Sequence, residues 1–521
     1  MPAEKQPSLD PMANIFQHSI GSPSDTGSTK DGVVLYSYFQ FLTVRNLHAI
    51  PYQDVTYLEA QGYLHVPNPL ILDVFMKAYF TYAHVFIPLT DEGEFWEMFS
   101  PATNSSSRTT MSLLVLRAML FASSTYVPLP VLGQLGYHDI CSARADLYRK
   151  AKLLFDMEAE TAHLPLAQAA LMLMSWVPEP PTTTSPVPYR TWLSWQSIMP
   201  SSSTPTDTRE FATLLSSLAC RLRLQITPDM FDMKNCVPLG FADLQSEIHR
   251  SNVFSPATKR QLISLFSKNL SLIMLLTDII PVAYPFETRL WSSPDFSVQE
   301  EENITKSCDL LEEWYNTAKA EFPPFHKPIT TEESDSANSI AVHTNLMYIH
   351  YHTSCIALCN RRVFTQISGT ESPDFHLEDF QDSNRRNEIG RDIEDSVLGL
   401  SRCIGSLLGS HLTKYLPITV SGCVAIPLAL HHMNTSLSSE DDAVPSHLEG
   451  WPLLSLDPTQ KHLQVMAATS DIFSTQYYGS QWVKEAAEHV AKLAKSFNKF
   501  SLQSGQEAMK DWVDILAEEA T

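Results

Sequence analysis

Hydrophobic and polar positions alternate at three- and four-residue steps over most of this chain, the period of helices that bury one face. The most informative stretch is centred on Leu70 to Phe99. Ile71, Phe75, Ala78, Tyr79, Tyr82 and Phe86 fall on one face, with Asp73, Lys77, Thr81 and His84 on the other. Asn68-Pro69 supplies a start signal, because Asn caps helix N-termini and Pro fits the first helical position, where its missing N–H costs nothing. Pro88 supplies the stop. Asp91 and Glu94 have the spacing of a capping box ahead of Phe95, Trp96 and Phe99. Leu113 to Ser124 is so nearly continuous in apolar residues that it predicts a buried helix.

The same period predicts a helix from about His138 to Phe155, with Ile140, Ala143, Leu147, Ala151 and Leu154 inward, and another over Leu164 to Trp176. Further on, Leu270 to Ile280 is apolar all round, Leu310 to Phe322 is amphipathic around Trp314, and Ile340 to Val363 is helical. Ile389, Ile393, Val397, Leu400, Ile404 and Leu407 give the cleanest stripe. Near the end, Val483, Ala487, Val490, Ala494 and Phe497 face inward, with Lys484, Glu488 and Lys492 placed for i,i+4 pairs outside. Val33 to Arg45 reads equally as strand or helix. No strand alternation of comparable length appears and no repeat of 20–50 residues. The expectation is an all-α fold, a large irregular multi-helix domain over 32–500 interrupted by a Pro/Ser/Thr-rich segment at about 178–208. A flexible tail rich in Ser, Pro, Gly and Asp fills 1–31, and 501–521 forms a C-terminal tail or helix.

Composition narrows the class. With 44% apolar and 18% charged residues the chain has the make-up of a folded protein. It carries 36 basic against 58 acidic side chains, a net charge of −22, which repels phosphate backbones unless bases are gathered locally. The N-terminus lacks the apolar core of a signal peptide. The longest apolar run, Leu270 to Ala283, contains Asp278 and Pro281 and is short for a bilayer span, so no membrane role is expected. Eight scattered cysteines suit reduced thiols better than a disulfide framework, and the sequons at Asn104, Asn269, Asn303 and Asn434 then count as chance matches. These features together predict a soluble intracellular protein.

The order of the aromatic pieces carries a family resemblance. Asp54-Val-Thr-Tyr-Leu-Glu-Ala-Gln-Gly, then Tyr79-Phe-Thr-Tyr-Ala-His84-Val-Phe-Ile-Pro88-Leu, then Glu94-Phe95, resembles the opening of the fungal-specific transcription factor domain, closest to the cutinase transcription factor branch. Gln168 through Ser175-Trp176 resembles the family's Gln-containing, Leu- and Met-rich helix, and Trp192 and Trp195 the start of its next one. The family pattern then breaks at Ser201-Ser-Ser-Thr-Pro-Thr-Asp207 and resumes near Arg221, with Ile226, Asp229, Asp232 and Pro238. The helix containing Tyr351 and Arg361-Arg362 resembles one that ends in a basic residue. The resemblance implies a nuclear regulator of a gene set, often metabolic, whose helical body gates activity and senses small molecules.

Other constellations are weighed against that implication. The family's zinc cluster needs six closely spaced cysteines among basic residues, yet the first cysteine here is Cys141 and the first fifty residues hold only Lys5, Lys30 and Arg45 as bases. No direct DNA binding by this chain is therefore expected. His350, His352, Cys355 and Cys359 have ligand-like spacing, but apolar-flanked cysteines on a helix are more often core. His431-His432 point apart on any helix. Asp379-Phe-Gln-Asp382 and Glu440-Asp441-Asp442 are the nearest approach to diphosphate-binding acidic motifs, and both read as solvated loops. Arg361-Arg362 reads as helix-end capping, and Arg385-Arg386 is likewise structural. No G-x-S-x-G, P-loop, H-E-x-x-H or G-x-G-x-x-G is present. The sequence thus names no catalytic residue, metal ligand or cofactor. It favours a transcription regulator acting through a protein partner, a homodimer or a small-molecule effector. The alternative is a helical enzyme or carrier, which would show convergent carboxylates around an apolar pocket.

Overall fold

The computed structural model describes residues 32–100, 109–176, 240–284, 294–325, 335–368, 380–438 and 456–481, with 484, 485, 489 and 492 beyond them. The chain opens with β1 (Val33–Leu35) and β2 (Leu42–Thr43), α1 (Tyr52–Ala60), β3 (His65–Pro67), α2 (Pro69–Ala78) and α3 (Glu92–Phe99). Next are β4 (Met111–Ser112), α4 (Leu113–Ser123), α5 (Leu129–Gln134), α6 (Ile140–Asp156) and α7 (His163–Leu173). After two helical turns at Phe241–Leu244 and Gln245–His249 come the long helices α8 (Pro256–Ala283), α9 (Pro294–Glu321), α10 (Asp335–Ser368) and α11 (Phe380–Gly409), then α12 (Thr419–Ser438) and α13 (Leu456–Gln476). The all-α expectation holds. Val33 to Arg45, open in the sequence, resolves into two short strands: β1 pairs antiparallel with β3, and β2 parallel with β4. The interruption at 178–208, Trp192, Trp195, Arg221 and its neighbours, and both ends of the chain lie outside the described residues.

The chain divides into two compact units, Met1–Ala78 with Glu97–Leu173, and Tyr79–Trp96 with Met174–Thr521. In the first, α4 is the axis: every residue but Ala122 is buried, and α2, α6 and α7 pack around it. Burial of each large aliphatic or aromatic side chain there is worth roughly 1.5–3 kcal/mol. Sequence signals set the helix starts. Asn68 Oδ1 accepts from the amides of Leu70 and Ile71 at 3.1 Å, and Asp139 Oδ1 accepts from Ser142 at 2.7 Å. One buried charge, unforeseen in the sequence, joins distant segments: the Arg117 guanidinium donates to the carbonyls of Gly62 at 3.2 Å, Tyr63 at 2.7 Å and His65. Burial pushes it down to about 10, still protonated at neutral pH.

The second unit is built on α8, α9, α10 and α11. Ser255 caps α8, accepting from Thr258 N at 3.2 Å, and Pro256 takes its first position. This helix begins well before Leu270 and continues through Pro281 to Ala283. By length and composition alone it could cross a bilayer. Its Leu272, Ile273, Leu276 and Ile279 instead pack into the core with Leu311 and Trp314 of α9 and Leu346 and Ile349 of α10. The stripe on α11 is as read: Leu400, Ile404 and Leu407 reach the same core, and Ile389 and Ile393 pack with Cys359. The four long helices all extend beyond the stretches read from the sequence: α8 starts at Pro256, α9 at Pro294, α10 runs from Asp335 to Ser368, and α11 starts at Phe380.

Candidate functional site: a buried ion network and an uncharged cleft

The helix expected over Leu70 to Phe86 ends early. After Ala78 the backbone widens into a π turn over Tyr79–Ala83, closed by His84 N donating to Tyr79 O at 2.9 Å. This segment is buried on both faces: Thr81 and His84, assigned to the polar side by a pure α period, are 6% and 2% exposed, and Tyr82 and Phe86 of the expected inner face are buried too. Asp73 and Lys77, upstream of the π turn, stay on the surface and pair at 2.7 Å. Asp91 completes the entry to α3 by accepting from Glu94 N at 2.7 Å.

His84 enters a buried cluster of ionisable groups in the second unit. Its Nε2 lies 3.0 Å from Glu247 Oε2, and the Lys259 ammonium lies 2.6 Å from the same carboxylate and 2.7 Å from Glu92 Oε2. Glu92 Oε1 accepts from Trp96 Nε1 at 3.1 Å and Ser251 Oγ at 2.7 Å, and Glu247 Oε1 accepts from the Glu92 amide at 3.2 Å. Burial pushes the Glu247 carboxyl up, but His84 and Lys259 outweigh it and hold it at about 2. Burial likewise pushes the Lys259 ammonium down, and Glu247 and Glu92 outweigh that and raise it. Because an ionised Glu247 only accepts, the proton in the His84 contact sits on Nε2. Each carboxylate is met by charge and by hydrogen bonds, so the cluster ties the π turn, α3, the turn at Gln245–His249 and α8 together. Lys259 had a readable position, since 259, 262, 263 and 266 share a helix face.

The ligand-like cluster on α10 is dispersed. His352 lies against Gly399 of α11, where its imidazole fills the space an added Cβ would take. Burial, with Arg402, pushes its ring down to about 4. Cys359 belongs to the Ile389 cluster, and burial raises its thiol to about 12, far from the thiolate a metal needs. Among the described residues no group of three His, Cys, Asp or Glu is placed to hold a metal ion. Arg361 and Arg362 are not end caps: α10 runs on to Ser368, and they pair with Glu300 and with Glu301 (3.1 Å) on α9. Asp382 falls within α11 rather than a loop, while Asp379 and Glu440 to Asp442 lie outside the described residues. The side chains of Arg385, Arg386, His431 and His432 also lie outside them.

His350 instead lines a cleft between α8, α10 and α12. Ile273, Leu276, Ile279 and Ile280 form one wall, and His350, Thr353, Ser354 and Cys423 stand on the others. Its open space is about 60 Å³. Among the described residues no carboxylate, Lys or Arg lines it. Such a surface can hold and orient a guest but offers no convergent acid–base pair.

No family model and no solved structure matches the chain. It is similar to "Cutinase transcription factor 1 beta" of Fusarium vanettenii, 32% identical over 128 residues, which cover 25% of this chain and 14% of that protein. A "Transcription factor" of Fusarium pseudograminearum is 30% identical over 123 residues, 24% of this chain and 13% of that one. "Fusaric acid cluster transcription factor FUB12" of Fusarium oxysporum f. sp. lycopersici is 32% identical over 120 residues, 23% of this chain and 17% of the relative. The matched stretch thus spans less than a fifth of the length of these curated relatives. Over about a quarter of the chain, the resemblance drawn from its residues is borne out by relatives named as fungal transcription factors.

Proposed function

We propose that this chain is the helical regulatory body of a nuclear transcription regulator and acts on a gene set, such as that of a metabolic pathway, through a protein partner, a second copy or a small effector. The observation that carries this reading is the similarity to transcription factors at 30–32% identity over about a quarter of the chain. A pocket without titratable groups would favour the regulator; the cleft carries His350, Cys423 and Tyr284, so it bears only on the alternative. An enzyme or diphosphate-binding reading asks for convergent carboxylates around an apolar pocket, and the described lining of this cleft has none. The net charge of −22 supports a division of labour in which the DNA-reading surface belongs to a partner.

The test is made in the host. A tagged copy is located by microscopy, and transcripts of deletion and wild-type strains are compared. The expected result is nuclear enrichment and a coherent set of altered transcripts. A protein that stays wholly cytosolic, with one metabolic product lost and transcripts unchanged, would replace this reading with a helical enzyme or carrier.

A further inference from the structure

We propose that the cleft between α8 and α10 binds a small neutral organic molecule that donates a hydrogen bond, with the chemistry of a short-chain alcohol. The α8 wall is aliphatic and accepts only an apolar body. On α10, His350, Thr353, Ser354 and Ala357 share one helix face and line the cleft. Both hydroxyls already use their protons within the helix: Thr353 Oγ1 donates to Ile349 O and Ser354 Oγ to His350 O, each at 2.8 Å. What these two hydroxyls offer a guest is lone pairs, so toward them the guest is the donor, while the His350 imidazole on the same face can give or take a hydrogen bond and suits a guest such as an alcohol that does both.

Charge is selected against on the same wall. With no carboxylate, Lys or Arg in the described lining, a bound ammonium would be desolvated without a counter-ion, and a carboxylate would meet only the His350 imidazole. Size is set by the open space of about 60 Å³, less than half of the roughly 150 Å³ of an engineered apolar cavity that takes up benzene. The buried part of the guest is therefore held to a few non-hydrogen atoms. Tyr284, at the end of α8 and 36% exposed, marks the mouth. That the guest acts as an effector rests on the regulatory reading above; that it binds does not.

The experiment is a titration of the full chain, labelled at isoleucine methyls, with 2-methyl-1-propanol. Parallel titrations use 2-methylpropanoate and 2-methylpropylamine. Saturable shifts confined to Ile273, Ile279 and Ile280 are expected for the alcohol and not for the acid or the amine. Ala357→Leu, which fills the cleft, should weaken the alcohol at least tenfold, and Thr353→Val, which keeps shape and removes the acceptor, about fivefold. Linear shifts spread over all isoleucines, an unchanged Ala357→Leu titration, or equal binding of the acid or the amine would overturn the proposal. If Ala357→Leu loses its folded methyl spectrum, Thr353→Val decides. Because the readout is binding, its failure leaves the localisation and transcript test untouched.

Discussion

At Lys259 a single ammonium answers two buried carboxylates, and that arithmetic makes it the most vulnerable point of the network to mutation. Lys259→Met leaves Glu92 with only Trp96 and Ser251, and Glu247 with only His84 and the Glu92 amide, with no ammonium between them, and removing one member of a buried pair costs about 3–5 kcal/mol. Chemical denaturation of the purified chain should show a loss of that size. A change below about 1 kcal/mol would mean that water relieves the site. The Glu247 carboxyl also gives a pH dependence with a definite sign. Its folded value of about 2 lies below the ordinary 4.5, so its stabilisation is fully present above about pH 4.5 and is lost as pH falls towards 2. The stability gap between wild type and Glu247→Gln should therefore narrow across that window, measured as denaturation midpoints from pH 5.5 downwards. A gap that stays constant would show that the carboxylate is not held low.

At the scale of elements, α10 and α11 approach closely enough for the His352 ring to occupy the space of a Gly399 side chain. Gly399→Ala should destabilise the protein by about 1–3 kcal/mol, the cost of overpacking. Pairing it with His352→Ala should recover much of that loss, because the two sites share one contact and will not be additive. An additive double-mutant cycle in thermal or chemical unfolding would contradict the geometry. The helix pair itself was legible: the stripe from Ile389 to Leu407 needs nothing but a regular period. The site was not. The segment past Ala78 is buried on both faces, so a reading that gives every helix one solvent face put Thr81 and His84 outside. The partners Glu92, Glu247 and Lys259 are up to 167 residues apart, and only tertiary packing joins them. Arg117 is the same case, an isolated charge in an apolar run whose carbonyl partners lie 52 to 55 residues upstream. Arg361 and Arg362 misled because α10 continues past them to Ser368 and their partners lie on another helix.

On the proposed regulatory reading, the question for the whole molecule is how an acidic helical body would meet a promoter. Duplex DNA is held chiefly by Lys and Arg that replace condensed counterions, so affinity depends on basic groups left available for phosphate. Here the surplus is acidic, at −22, and several bases are already engaged: Lys150 with Asp146 at 2.7 Å, Arg250 with Asp91 at 3.3 Å, and Arg361 and Arg362 with α9 carboxylates. Long-range repulsion acts over a Debye length of about 8 Å at physiological salt, so it would slow encounter as well as weaken the complex. We therefore expect the purified chain to bind random and promoter duplexes alike no tighter than the roughly micromolar range typical of non-specific contact. Fluorescence anisotropy at about 0.15 M salt checks this directly. On the same reading, adding a partner that carries a DNA-reading surface should convert weak, sequence-blind binding into a promoter-selective supershift. Tight, sequence-dependent binding by this chain alone would instead place the reading surface on its own residues and remove the need for a partner.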